Sequence, residues 1–268
     1  MKVTLDMFNQ AVKNGMKVLH LDIETSPMLV YTHYIGSKVS LSHGQIKQGA
    51  ESKVICTQYM WETDKEAKYI PWKGKAGNWD DTLVLQKTAE LIKQSDLIIG
   101  QNLDSFDMKV LQGRMVTLGL EPFDYDLTLD VLKMSRKSFR FASQKLDHRA
   151  KQYGNRGKDR MYFDDWIDVV EGTVPVSAKM GPYGCQDVTE TRFVLHKEFD
   201  GYRNLPLKVQ KLILSFLTPD KKLYCDRCAK RRQRRYDIKV KQRKDFKEVS
   251  CNRCGDEWTL HGPKGQRK

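Results

Sequence analysis

Apolar and polar positions alternate along Met16–Glu24 (MKVLHLDIE) with the two-residue period of a half-buried strand. Ser52–Trp61, rich in β-formers, and Lys68–Trp72 predict two further strands. Thr4–Asn14 reads as a short helix, with Thr4 at its N-cap and Gly15 beyond its end. Between the first two strands, 25–51 has no regular period and is long enough to be a functional loop. Asp80–Gln94 carries Leu83, Leu91 and Ile92 at helical spacing, with Asp80 or Asp81 as its cap. Asp96–Gly100 is a short apolar strand of a covered sheet, and Ser105–Leu118 a helix stopping at Gly119. A strand over 125–131 follows, then helices over 131–138, 144–153, 164–171 and 182–200. Leu205–Leu217 is an apolar helix ended by Thr218-Pro219. This order predicts a mixed α/β sheet covered by helices, with a domain boundary at 218/219.

The chain has 268 residues, 40% hydrophobic, enough for a packed core and too many for disorder from end to end. It has no run of about 18 apolar residues and no apolar stretch of leader type near Met1, which predicts a cytoplasmic protein, in a bacterial cell or a virus-infected host. The net charge of +13 points to a polyanion, and its distribution sharpens the picture. Residues 221–268 hold 17 Lys+Arg and 6 Asp+Glu, a net of +11, which leaves +2 for 1–220. Within 1–220, residues 133–160 hold 10 basic residues against Asp147 and Asp159, so the remainder is net −6. The basic 133–160 stretch is expected to line the approach to an acidic cleft.

The cysteines divide in the same way. Cys225-x2-Cys228 and Cys251-x2-Cys254 supply four thiolates in the basic tail, the ligand set of one closed, structural zinc. Alternating Tyr236, Ile238 and Val240 between the pairs predict a hairpin strand, so the tail resembles a zinc ribbon. Arg231, Arg232, Arg234 and Arg235 follow the first pair and suit phosphate contacts that release counterions. Cys56 and Cys185 are read as buried structural thiols.

Three places hold carboxylates that packing does not require. Asp22 and Glu24 lie two apart at a strand end and so share a face. Asp104 and Asp107 lie where an apolar strand runs into a helix, and either could be its cap and nothing more. Tyr183 and Asp187 lie four apart on a predicted helix and share a face. Asp124, Asp126, Asp164, Asp165 and Asp168 read as solvated or capping residues. Carboxylates gathered at one point repel one another unless cations offset them, and hard divalent ions do so.

In order, LDIET, Asn102-x3-Phe106-Asp107 and Tyr183-x3-Asp187 resemble the three motifs of the DEDD exonuclease superfamily in its tyrosine variant, DEDDy. The second has the form found in the proofreading domains of family B DNA polymerases. Lys145–Gly154 also looks like the helix often found between the second and third motifs. The resemblance covers roughly 16–200. It implies a ribonuclease-H-like mixed five-stranded sheet flanked by helices, residues 1–218, followed by the small zinc-ribbon domain, 219–268. It implies that Asp22, Glu24, Asp107 and Asp187 hold two Mg2+ or Mn2+ ions, and that Tyr183 orients the attacking water. With an ordinary pKa of about 10, Tyr183 is a poor base at neutral pH. Thr25, Asn102, Phe106 and Lys145 would contact substrate. The implied activity is 3′–5′ hydrolysis of DNA, mainly single-stranded or at 3′ ends, to nucleoside 5′-monophosphates. A replication or repair protein is the expected further partner, and no membrane is expected. A 3′–5′ exoribonuclease and a nucleic-acid-binding adaptor with an inactive nuclease domain are the alternatives.

Overall fold

The alternation of the first strand puts two chemistries on opposite faces. Leu19, Leu21 and Ile23 are buried on one side, while Val18, His20, Asp22 and Glu24 turn to the other. This computed structural model describes residues 2–34, 36, 39–49, 51–125, 127–157, 159–217, 238–242, 246–252 and 254–261. In chain order the first elements are α1 (Leu5–Lys13), β1 (Val18–Thr25), β2 (Val54–Trp61), β3 (Lys68–Pro71), β4 (Lys73–Lys75) and β5 (Asn78–Asp80). Then come α2 (Thr82–Gln94), β6 (Leu97–Gly100), α3 (Asp107–Thr117), β7 (Thr128–Asp130), α4 (Val131–Ser138) and α5 (Leu146–Gln152). The described chain continues with α6 (Phe163–Glu171), α7 (Met180–Glu198), α8 (Leu207–Leu217), β8 (Ile238–Gln242), β9 (Phe246–Cys251) and β10 (Glu257–His261).

The main sheet has the order β3-β2-β1-β6-β7, with β1 at its centre. β1 pairs antiparallel with β2 and parallel with β6, and β6 pairs parallel with β7. This mixed five-stranded sheet with helices is compatible with the ribonuclease-H-like arrangement expected above. On one face α2 and α3 cover Leu19, Leu21 and Ile23 with Leu85, Ala89, Ile92, Leu111 and Met115. On the other, Phe8 of α1, Val194 and Leu195 of α7 and Leu212 of α8 pack with Val18, Leu97, Ile99 and Leu129. Each such buried Val, Leu, Ile, Phe or Met side chain contributes about 1.5–3 kcal/mol. The second face therefore runs from apolar Val18 to acidic Asp22 and Glu24 along one strand.

The predicted elements are present, with ends shifted by a few residues, and the reasons are local. Thr4 caps α1 by accepting the Met7 N–H, and Gly15 at φ 99° ends it. At α2, Asp80 accepts the Thr82 N–H at 2.9 Å, while Asp81 is drawn off to Arg114 at 2.8 and 2.9 Å. α7 begins at Met180 rather than 182, with Pro182 inside the first turn, where its missing N–H costs nothing. The β4–β5 hairpin, with Gly77 at φ 79°, was not expected, because its strands are three residues long and mostly exposed.

Two expectations are corrected. Cys185 is half-buried, not buried, and lines an open cavity of about 840 Å3 with Lys65, Lys68, Tyr69 and Gln186. Arg149 does not line an approach. It is fully buried against Glu198, 3.0 Å away, and donates to Gln101 Oε1 at 2.6 Å. A helix face that buries Leu146 and Ala150 also buries position 149, so its charge turns inward to a partner.

The third sheet, of order β10-β9-β8, is antiparallel and formed by residues of the basic tail. Cys251 and Cys254 bracket a turn in which Gly255 N–H donates to Cys251 O at 3.0 Å and Cys251 N–H to Asp256 O at 2.8 Å. Cys225, Cys228, Arg231, Arg232, Arg234, Arg235, Tyr236 and the 218/219 boundary lie outside the described residues.

Where β2 ends, Glu62 is wedged between β1 and α7. His20 Nε2 stands 2.5 Å from Glu62 Oε2, and His196 Nε2 2.7 Å from Oε1. Burial opposes ionisation of Glu62, but the close contacts with His196 and His20 outweigh it and bring its pKa from 4.5 to about 2. The sign follows. A depressed folded pKa gives stability that is complete above about 4.5 and is lost as pH falls toward 2. The shift corresponds to on the order of 3 kcal/mol. Thermal melts should show a midpoint that drops steeply between pH 5 and about 2. Glu62→Gln should flatten that drop and lower the midpoint at pH 7.

Candidate functional site

β1 supplies the first two carboxylates. Asp22 and Glu24 lie where its second face turns acidic, opposite Gln58 and Cys56 of β2. The third comes from α7, which crosses that face. Asp187, 9% exposed, lies on the helix stripe that also buries Gly184, Val188 and Thr191. One carboxylate oxygen each from Asp22, Glu24 and Asp187 fall within 4.8 Å of one another. Residues 163 positions apart, Glu24 and Asp187, thus meet at one point.

Such an approach needs a helix that can lie on the strands. A Cβ on Gly184 would stand 2.4 Å from the Gln58 side chain, and one on Gly181 would stand 2.7 Å from the Tyr69 ring. Gln58 and Tyr69 are cross-strand neighbours, so the two glycines dock one helix face across β2 and β3. Farther along α7, Arg192 donates to Asp64 O at 2.8 Å and fastens the helix to the β2–β3 turn. Glycine inside a helix costs about 1 kcal/mol relative to alanine. Sequence reasoning missed Gly184 and Gln58, although a glycine near the start of a predicted helix was the available signal.

Asp107 joins the site by a different route. It opens α3, is 2% exposed, and its Oδ1 accepts the Ile23 N–H at 3.0 Å. It therefore touches β1 between Asp22 and Glu24 without being one of the three mutually close carboxylates. Burial pushes the Asp107 carboxyl up to about 7, backbone hydrogen bonds oppose this, and the Asp130 charge adds to it. A cation beside it would favour the ionised form.

The turn before Asp107 is organised by Asp130, another residue the sequence did not mark. Asp130 accepts from Asn102 N–H at 3.2 Å, Asp104 N–H at 3.3 Å and Lys133 N–H at 3.1 Å. Asn102 takes φ 64°, a left-handed conformation that asparagine tolerates, and its carbonyl accepts the Ser105 and Phe106 N–H groups. Phe106 is 41% exposed. Asp104 pairs with Lys133 at 2.9 Å. Thr25 lies at the irregularity that ends the β1–β2 ladder. Tyr183, one turn before Asp187, meets Trp166 of α6 edge-on at 6.3 Å. Lys145 is exposed at the N-cap of α5.

The donor set is all carboxylate oxygen, which suits a hard divalent cation such as Mg2+ or Mn2+. Three charges this close are mutually repulsive, so a cation would stabilise the folded protein as well as complete the site.

Gly184→Ala tests whether helix docking sets the site. Helix propensity alone would make the variant more stable by about 1 kcal/mol. Overpacking against buried Gln58 should instead cost about 1–3 kcal/mol, and Mn2+ affinity by calorimetry should fall. Adding Gln58→Ala should restore part of both. A more stable variant with unchanged Mn2+ affinity would count against the docking argument.

No family model matches the chain, and no curated protein matches it. Among solved structures, the chain is similar to the family B DNA polymerase from the hyperthermophilic archaeon Pyrobaculum calidifontis, with a TM-score of 0.49 and 16% sequence identity. The match covers 87% of this chain and 32% of that one, so the chain spans about a third of the polymerase's length.

Proposed function

We propose that this protein is a metal-dependent 3′–5′ exonuclease of DEDDy type, acting mainly on single-stranded DNA, with a C-terminal zinc ribbon that grips nucleic acid. The observation that carries the reading is the convergence of Asp22, Glu24 and Asp187 within 4.8 Å, with Asp107 bonded to the backbone between the first two. In this reading the four carboxylates hold two divalent ions. When bound, these supply Lewis-acid activation of water and charge neutralisation at the leaving oxygen. Tyr183, on the same helix as Asp187, orients the water. Water adds across the P–O3′ bond, its hydroxyl to phosphorus and a proton to the departing 3′ oxygen. One nucleoside 5′-monophosphate leaves, and the strand is one nucleotide shorter. Thr25, next to Glu24 in the chain, and Asn102 and Phe106, in the turn before Asp107, would contact the terminal nucleotides.

The tail reading rests on the two CxxC pairs and on the tight turn joining Cys251 to Gly255 at the end of β9. Four cysteinyl ligands would close the sphere of one structural zinc, leaving the arginines from 231 to 235 to meet phosphate. The division at 218/219 belongs to the same proposal.

The deciding experiment incubates the purified chain with 5′-labelled single strands, duplexes and RNA, with Mg2+ or with EDTA. A ladder shortening from the 3′ end only with metal is expected, faster on single-stranded DNA. Asp22→Ala and Asp187→Ala should each abolish it while leaving the melting midpoint nearly unchanged. Full activity in either would refute the site, and dependence on the ribose 2′-OH would move the substrate to RNA. Cys225→Ser with Cys228→Ser should weaken binding of long strands far more than hydrolysis of short oligonucleotides. Equal losses on both would make the ribbon merely structural.

A further inference from the structure

Exposed apolar side chains are unevenly placed on this protein. Of 11 large exposed hydrophobic residues among those described, five lie between Met28 and Leu41: Met28, Leu29, Tyr31, Tyr34 and Leu41. Scattered single exposures are ordinary, but a local concentration marks a contact surface. Its support is built. Ser26 N–H donates to Lys53 O at 2.8 Å and Lys53 N–H to Ser26 Oγ at 2.9 Å, closing the base of the segment where the β1–β2 ladder ends. Farther out, Val30 bridges Ile46, and Tyr31 N–H donates to Gln45 O at 2.8 Å. Lys47 N–H donates to Leu29 O at 2.9 Å, and Gln45 Nε2 to Tyr31 O at 3.0 Å. These bonds hold two arms together while leaving the Tyr31 and Tyr34 rings outside, each 66% exposed.

Two further observations identify the occupant. Residues 25–50 contain no Asp or Glu, although the sequence elsewhere in 1–220 is acid-rich, and Lys47 is exposed on the returning arm. The segment is also continuous with the acidic site. Tyr31 lies seven residues beyond Glu24, within about 25 Å even if the chain were fully extended. An acid-free arm with projecting aromatic rings, rooted at the carboxylate cluster, fits a polyanion with flat, unpaired bases.

We propose that this arm is a stacking platform for an unpaired nucleic-acid strand, with Tyr31 and Tyr34 taking bases upstream of the 3′ terminus. The proposal rests on the nuclease reading for the direction of the strand, and its chemistry does not depend on cleavage. Because stacking releases no counterions, its contribution should persist at salt concentrations that suppress the phosphate contacts of the tail.

The test is binding of a fluorescent 12-nucleotide thymidylate strand to the zinc-loaded full chain without added Mg2+ or Mn2+, at several salt concentrations. Tyr31→Ala with Tyr34→Ala should weaken binding on the order of tenfold to a hundredfold at every salt concentration, leaving the salt slope unchanged. Tyr31→Phe with Tyr34→Phe should bind like the wild type, because the ring face is kept. Both rings are exposed, so equal melting midpoints are expected for all three proteins. Wild-type affinity in the Ala variant would overturn the platform. If Mg2+-dependent shortening by the wild-type chain accompanied that result, the nuclease reading would stand, and the arm would be left to a protein partner. A loss confined to low salt would also overturn the platform, since it would show an ionic contact. If the wild-type chain cleaved nothing yet the Ala variant lost affinity, the platform would stand and the nuclease reading would fall.

Discussion

The meeting of Asp187 with Asp22 and Glu24 depends on how closely α7 can lie against the sheet. A helix and a sheet ordinarily keep their backbones apart by the thickness of the side chains between them. Gly181 and Gly184 remove that spacer over Tyr69 and Gln58, and the helix settles with Asp187 beside Asp22 and Glu24. A glycine inside a helix gives up about 1 kcal/mol of propensity relative to alanine, and both are called for here by the closeness of Gln58 and Tyr69. The local cost is intelligible if the return is proximity between carboxylates.

That proximity is itself unfavourable without a cation. The structure holds the acids in place through contacts outside the cluster. Asp107 is fixed by the Ile23 amide and by a turn built around Asp130. The far end of α7 is anchored through Glu198, which meets buried Arg149 at 3.0 Å with Tyr153 and Tyr202 around it. Such a buried pair adds little net stability, since desolvation offsets most of its attraction, but removing one partner would strand the other charge. Its contribution is to orient α5 and α7, while apolar burial on both sheet faces supplies the stability.

Much of this architecture was legible in order of residues. The alternation in MKVLHLDIE marked a strand and put Asp22 and Glu24 on one face, because strand side chains alternate whatever the tertiary context. Helical spacing put Tyr183 and Asp187 on one side of a helix for the same reason. The role of Arg149 was misread, since a positive charge in a basic stretch looks solvated until Glu198, 49 residues away, is brought against it. The β4–β5 hairpin was missed because three-residue strands are too short to show a period.

By itself, the sequence determined periodicities and residue chemistry: which elements form, which face of each is apolar, where acids, cysteines and positive charge concentrate. These are consequences of backbone geometry acting over a few residues. Only the tertiary structure decided that three acids from β1 and α7 meet within 4.8 Å, that Asp107 reaches them through a backbone amide, and that Arg149 turns inward. Those outcomes depend on contacts between residues tens to more than a hundred positions apart, which no local period encodes.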